Sequence, residues 1–396
     1  KISSSPILPR AKYLVNERVK HGFQCSGLFP AQYKRLTMGI GIGTISDNNR
    51  ATFAKTTEPF VKEVYEESTE EAIHEEIGWS VVEDQEGINV LTDARHGWRK
   101  NAKDSSIVVI GEKSHKVLRH EHVTKQDELS TQKHELLGTK RALEYFDEKQ
   151  VLIQGVAHDR NTSVNKLVKD RGEKNQNDRW HGVKSFKKKL KPVTEGANYK
   201  HGQTWHRELS DKLEPVCTHF HWAMQHCSGD ADILRERLLN TVNHYKNIHD
   251  GCPLSSRCMK DPNYEPSRIV ITDPKAELLL RNVITESTIY KYAEDFTEAK
   301  ETYWVESFNN TMNIFHDKRI SMKDLQYQIR SYLAVAHWNE NTNREVTSIK
   351  DRSTRRKSVR KRLKAATYSY RKSIWDKYMH SMFNPPHRAN RRNNTQ

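Results

Sequence analysis

Three acids in this sequence stand where metal-dependent phosphoryl transfer needs them. Asp93 lies in Leu91-Thr92-Asp93-Ala94-Arg95-His96-Gly97-Trp98, Asp159 in Ala157-His158-Asp159-Arg160-Asn161, and Glu306 in Tyr303-Trp304-Val305-Glu306-Ser307-Phe308-Asn309-Asn310. Three carboxylates suit two divalent cations, roughly 3.5–4 Å apart, that clamp the attacking and leaving oxygens of an in-line displacement. Hard oxygen ligands select Mg2+ or Mn2+ over softer metals. The chemistry is hydrolysis of a DNA strand by water, then attack of the freed 3′ hydroxyl on a second phosphodiester. Each acid also has a plainer explanation. In a chain with 51 Asp and Glu, an aspartate at a strand end is usually a turn former or helix cap, and Asp159 could cap a helix starting near Asn161.

His244, His249, Cys252 and Cys258 form a second constellation, H-x4-H-x2-C-x5-C. Two imidazoles and two thiolates are a ligand set for tetrahedral zinc, which here would organise the chain and not perform chemistry. Cys217, His219, His221, His226 and Cys227 are competing ligands, and the plainer reading is free cysteines among the 20 histidines of the chain. The cysteines number five, an odd count, with four of them close together. That argues for a reducing compartment and against a secreted disulfide scaffold.

The elements that must position these residues are legible from periodicity. Residues 11–76 read as helical, broken by Gly39-Ile40-Gly41-Ile42-Gly43, with a long acidic run from about Asn48 to Glu76. Two helices about a glycine turn are compatible with a helix-turn-helix, but the acid count favours packing or dimerisation. The glycine string lacks the Gly-Lys-Ser/Thr of a phosphate loop and carries no nucleotide role. From Trp79 the pattern turns to short apolar runs: Ile88 to Thr92, Ser106 to Gly111 and Lys116 to Val123, the last two flanking a hairpin turn. An amphipathic helix over Gln132 to Glu148 follows, then a buried strand over Val151 to Ala157 and a helix from about Ser163. Strand, strand, strand, helix, strand, helix predicts an antiparallel meander, a crossover helix and a fourth strand parallel to the first. Asp93 and Asp159 then end neighbouring strands at the same edge of the sheet, where open α/β sheets keep their sites. Glu306 falls on the polar face of a helix whose apolar stripe is Trp304, Phe308, Met312 and Phe315. Asp178 is a rival second acid, but it follows the polar string Glu173 to Asn177, which offers no strand end.

The four motifs around Asp93, Asp159, Asn177-Asp178-Arg179-Trp180-His181-Gly182-Val183-Lys184 and Glu306, in that order, resemble a eukaryotic cut-and-paste DDE transposase of the Kolobok-like kind. The resemblance covers most of the chain, including Gly27-Leu28-Phe29-Pro30-Ala31-Gln32-Tyr33. It implies a ribonuclease H-like α/β core, a mixed sheet flanked by helices, interrupted by a largely helical insertion between the second Asp and the Glu. It also implies Asp93, Asp159 and Glu306 as the triad. Double-stranded DNA (transposon ends and target) as partner, a homo-oligomer and a nuclear location belong to the same expectation.

The charge agrees with a polyanionic partner: 66 Lys and Arg against 51 Asp and Glu give 66 − 51 = +15. Lys184, Lys187 and Lys188 begin one basic block beside Trp180 and His181, which are expected to touch a base and a phosphate. Arg355, Arg356, Arg360 and Lys361 belong to a second block, a basic C-terminal helix that is also a nuclear-localisation candidate. No run approaches the eighteen apolar residues of a membrane-spanning helix. Lys1 in place of Met predicts a fragment or processed product whose missing N-terminus holds a further domain. The expected division is 1–76 (helical N-terminal segment), 77–183 (first part of the core), 184–290 (Cys/His-rich helical insertion), 291–350 (final catalytic helix) and 351–396 (basic helix and tail).

Overall fold

The computed structural model describes residues 5–97, 101–352 and 358–385, with the backbone alone for 348–352 and 358–361. Strands β1 (Ile7–Leu8) and β2 (Lys12–Tyr13) form a small antiparallel pair. Helices α1 (Leu14–Ser26), α2 (Pro30–Gly39) and α3 (Asp47–Val82) follow. Next come β3 (Ile88–His96), β4 (Asp104–Gly111), β5 (Val117–Thr124), α4 (Thr131–Glu148), β6 (Ile153–His158), α5 (Thr162–Arg171) and β7 (Lys174–Asn177). A helical stretch contains α6 (Arg179–Thr194), α7 (Leu213–His226), α8 (Ala231–Tyr245), α9 (Arg257–Lys260), α10 (Pro274–Thr285) and α11 (Thr288–Lys291). The chain closes with α12 (Tyr303–Phe315), α13 (Asp324–Asn341), β8 (Val346–Arg352), β9 (Ser358–Leu363) and α14 (Ser369–Phe383).

The fold is mixed α/β, with one five-stranded sheet in the order β5-β4-β3-β6-β7, flanked by helices. β4 and β5 are antiparallel, whereas β3 pairs with β6 and β6 with β7 in parallel. Parallel neighbours need a crossover, and α4 and α5 supply the two. The chain divides into two compact units, one of residues 1–86, 94–145 and 305–396, the other of residues 87–93 and 146–304.

In the first unit the acidic helix is packed inward. Phe53, Val61, Val64, Tyr65, Ala72 and Ile73 line the buried face of α3, which packs on α13. Its acids serve the same end: buried Glu76 accepts from the backbone amides of Lys113 and Ser114 at 2.9 and 2.8 Å, holding the β4–β5 turn. Glu63 and Glu67 pair with Lys377 of α14. The buried Arg330 of α13 donates to the carbonyls of Gly27, Leu28 and Phe315, at or just past the ends of α1 and α12. Those carbonyls have no helical partner of their own. Gly27 has φ +78°, and a Cβ there would strike the Ile314 carbonyl, so the turn after α1 requires glycine.

In the second unit α6, α7, α8, α10 and α11 share one apolar core that includes Phe186, Leu190, Phe220, Leu238, Leu280 and Phe296. The rings of Phe186 and Phe220 stack at its centre, 3.8 Å between centroids.

Four expectations need correction. The long helix runs on to Val82, past the residue at which strands were expected. Regular helix, which periodicity has returning from Lys300 to Asn339, starts only at Tyr303 and comes as two helices, α12 and α13, with residues 316–323 between them. The insertion's first helix starts at Arg179, not Lys184, because Asp178 caps it. The basic block expected as a C-terminal helix lies on the antiparallel β8–β9 hairpin instead, where Lys350 faces Arg360 and Ile349 faces Lys361. Val346, Thr347, Ile349 and Val359 favour extended backbone, and the pairing of the two arms outweighs the helix propensity of Lys and Arg. Arg355, Arg356 and Trp98 lie outside the described residues.

Three buried histidines of the first unit make it acid-sensitive. Burial pushes His120 from 6.5 down to about 3, and His21 and His316 down to about 4. Above pH 6.5 both the folded and unfolded chains keep these imidazoles neutral. Below it only the unfolded chain binds the protons, so stability falls as pH drops toward 4. The expected slope is about 1.4 kcal/mol per pH unit for each imidazole. Urea unfolding across that range checks it, and replacing His120 by Gln should flatten the curve.

Candidate functional site

The parallel strands of the second unit carry the site. Thr92 of β3 is registered with His158 of β6, and His158 with Asn177 of β7. The next residue on each chain is an aspartate: Asp93, Asp159 and Asp178. Asp159 and Asp178 therefore directly follow the carboxyl ends of β6 and β7, while Asp93 lies within β3, which runs on to His96, just past the point where its parallel pairing with β6 ends. The strand end that Asp178 was expected to lack exists, because the polar string Lys174 to Asn177 pairs with β6 and is buried from Asn175 on.

The environments of Asp159 and Asp178 differ. Asp178 is 4% exposed and its carboxylate is fully engaged. Oδ1 accepts from the amide of His181 at 2.8 Å, capping α6, and Oδ2 accepts from the amide and hydroxyl of Thr302 at 2.7 and 2.9 Å. The side chain of Asp159 is 37% exposed. Its Oδ1 lies 3.1 Å from the Thr302 hydroxyl, and its Oδ2 lies 3.0 Å from Nδ1 of His181. A carboxylate only accepts, so Nδ1 of His181 is the donor there. The single hydroxyl proton of Thr302 serves one of its two acid neighbours at a time. Helix α5 is capped by Asn161, whose side chain accepts from the amides of Ser163 and Val164, so Asp159 is released from the capping role. Burial raises the Asp159 carboxyl above its ordinary range and the charge of Asp178 adds to this, while His181, Thr302 and His158 oppose it.

His158 is a buried strand histidine with partners on both ring nitrogens, the Asp159 carbonyl and the Asn175 side chain. The Thr92 hydroxyl and both polar atoms of the Asn177 side chain are buried without a hydrogen-bond partner among the described residues. Such orphaned groups are uncommon and fit a place where water or an ion belongs.

Glu306 sits in the first turn of α12, exposed, four residues beyond Thr302 in the chain. An acid there also suits the positive end of the helix. Val305, Phe308, Met312 and Phe315 bury the opposite face, and Trp304 is half-buried. Arg95, from the Asp93 motif, is buried and donates to Asn313 at 2.7 Å and to the His316 carbonyl at 2.8 Å. Its place in the motif is thus accounted for by packing.

Helix α6 leads away from Asp178 with a basic face. Trp180 is half exposed, Lys184 lies with its ammonium 4.4 Å from the indole centroid, and Lys184, Lys188 and Lys191 follow at helical spacing. Lys187, on that face, is paired with Glu214, a surface ion pair weak enough for a phosphate to displace.

His244, His249, Cys252 and Cys258 converge: their ligand atoms all lie within 4.8 Å of one another, and this set could hold a metal such as zinc. Among the described residues no other group of three or more His, Cys, Asp or Glu meets that distance. Burial and the neighbouring imidazoles of His249 and His219 depress His244, keeping its lone pair free. Three of the five competing ligands are used elsewhere. The Cys227 thiol bonds the Met224 and Thr297 carbonyls, His219 the Arg237 carbonyl and His226 the Trp222 carbonyl.

Removing Asp178 or Asp159 should therefore have opposite consequences for stability. Asp178→Ala leaves the Thr302 amide and the first turn of α6 unpaired, and should cost about 2 kcal/mol in urea unfolding. Asp159→Asn removes a charge that burial disfavours and should leave stability equal or higher. Equal losses in both variants would contradict this division of roles. A comparison with known protein families and with curated proteins found no match for the chain.

Proposed function

We propose that this chain is a DDE-type DNA transposase, or a protein derived from one, with a ribonuclease H-like core that cuts and joins DNA strands. The observation that carries the reading is the registered pair Thr92 and His158, after which Asp93, within β3, and Asp159, just past the end of β6, follow on adjacent parallel strands. The sheet order supports it as well: a meander, then a fourth strand beside the first and a fifth beyond it.

Asp93, Asp159 and Glu306 are the proposed ligands of Mg2+ or Mn2+. The donor set fits such ions, being all hard oxygen, with lone pairs left on the half-exposed Asp159. Carboxylates at adjacent strand ends repel one another unless cations lie between them. When bound, a pair of such ions supplies an activated water and charge neutralisation on the phosphate. His181 and Thr302 orient the Asp159 carboxylate, and the buried Asp178 holds Thr302 in turn. The water oxygen, losing a proton to solvent, bonds to phosphorus as the bond to the 3′ oxygen breaks and that oxygen takes up a proton. The 3′ hydroxyl so freed, on losing its proton, bonds to the phosphorus of a second phosphodiester as that linkage's own 3′ oxygen leaves.

The stripe of Trp180, Lys184, Lys188 and Lys191 begins beside His181 and extends along α6 for about 17 Å at the usual helical rise. It suits duplex DNA, the tryptophan stacking on an unpaired base and the lysines meeting phosphates. Arg360 and Lys361 on β9 are proposed to add to this grip. A homo-oligomer and a nuclear location complete the reading, while the Cys/His cluster stands outside the chemistry.

The test is nicking of supercoiled plasmid with Mg2+ or Mn2+. Wild type should nick, and Asp93→Asn, Asp159→Asn and Glu306→Gln should each lose more than about a hundredfold, beyond the loss expected from a supporting residue. His181→Ala should lose about 10- to 100-fold with its fold intact. Wild type and the three acid variants behaving alike would sink the enzyme reading. DNA binding without cutting would then indicate a domesticated DNA-binding protein, and cutting without joining of a pre-cut end a nuclease. In a separate binding assay, replacing Lys184, Lys188 and Lys191 by Ala should lower the slope of log affinity against log salt by about one unit for each phosphate that a lysine no longer neutralises.

A further inference from the structure

The segment between α8 and α10 lacks what normally holds a polypeptide in place. None of the 25 residues 246–270 is buried, and its only helix is the four-residue α9. Long irregular segments of this kind need an anchor other than a hydrophobic core. Of the four side chains that converge in the second unit, His249, Cys252 and Cys258 lie in this segment and His244 lies in the last turn of α8.

We propose that these residues bind one structural Zn2+ that clips residues 246–270 onto the end of α8. Zinc bonds of about 2.3 Å to sulfur and 2.0–2.1 Å to nitrogen imply tetrahedron edges of roughly 3.3–3.8 Å between ligand atoms. Cys252 Sγ lies 3.5 Å from His244 Nδ1 and 3.7 Å from His249 Nδ1, and Cys258 Sγ lies 3.9 Å from His244 Nδ1. Both imidazoles present the same nitrogen. Nε2 of His249 meets the Asn247 side-chain oxygen at 2.9 Å, which puts the proton there and leaves Nδ1 bare for a metal.

The sulfurs have supporting donors too. Asn240 of α8 donates from Nδ2 to Cys252 Sγ at 3.5 Å, and the Ser256 hydroxyl lies 3.1 Å from Cys258 Sγ. Hydrogen bonds of this kind orient and steady thiolate ligands. Gly251 makes the approach of Asn240 possible, since a Cβ at that position would meet its side-chain oxygen at 2.6 Å. Two thiolates and two imidazoles select zinc over hard cations, and four protein ligands leave no open position for a water. The site is therefore a clasp. It is independent of strand cutting.

The full chain purified without added metal should contain one zinc per molecule by elemental mass spectrometry. Metal-free protein refilled with Co2+ should give the intense visible bands of a tetrahedral thiolate site. Cys252→Ser and Cys258→Ser should each lose the zinc, while Cys25→Ser, in the first unit, should keep it. Asn240→Ala should weaken zinc binding about tenfold or more. Chelation of the wild-type protein should open residues 246–270 to protease and leave the rest of the second unit resistant. Absence of zinc with no cobalt spectrum overturns the proposal, as does a Cys252–Cys258 disulfide in the purified protein or zinc retained by both serine variants. The wild-type cobalt titration decides the matter even if a serine variant fails to fold.

Discussion

One registered row across three adjacent parallel strands is the constraint on which the rest depends. Because Thr92, His158 and Asn177 lie side by side, the residues after them emerge together, and all three are aspartates. Like charges so placed raise one another's cost of ionisation. The structure meets that cost unequally. Asp178 is buried behind three hydrogen bonds and becomes part of the framework, while Asp159 remains half exposed with lone pairs to offer.

Thr302 links the two roles. Its amide is committed to Asp178, and its hydroxyl lies within reach of both acids just before α12 begins. The start of the Glu306 helix is thus tied by hydrogen bonds to the ends of β6 and β7. Asp178 also caps α6, whose basic face starts at Trp180. One buried carboxylate therefore caps α6 and its lysine stripe and also holds Thr302, the residue before α12. A comparable economy holds in the first unit, where a single guanidinium, Arg330, satisfies three carbonyls around the ends of two helices.

The net charge of +15 conceals a division of labour. Acids of α3 are spent internally on the β4–β5 turn and on α14. Lysines of α6 face outward instead. The net charge is a matter of count, 66 Lys and Arg against 51 Asp and Glu, while the use of acids in packing decides where the basic surface lies.

Long, strongly periodic elements were legible in the sequence: the helix over 47–82 apart from its last turn, the three strands after it, α4, β6 and the parallel return of β6 to β3. The helices bury every third or fourth residue and β4 and β6 are near-continuous buried runs, so the pattern is local. Asp159 could be placed just past a strand end for the same reason, Asp93 falls inside β3 and not at its end, and the spacing of His244, His249, Cys252 and Cys258 already named a ligand set. Only tertiary structure decided the rest. Strand β7 is four polar residues that become strand by pairing with β6, a partner about twenty residues away in the chain. Its existence turned Asp178 from a loop residue into a buried cap, and nothing in its immediate neighbours carries that information. The break between α12 and α13, the β8–β9 hairpin and the choice of one Cys/His set over its competitors likewise depend on how distant residues meet. Periodicity reports which face of an element is buried, whereas pairing and side-chain convergence are set by the partner that buries it.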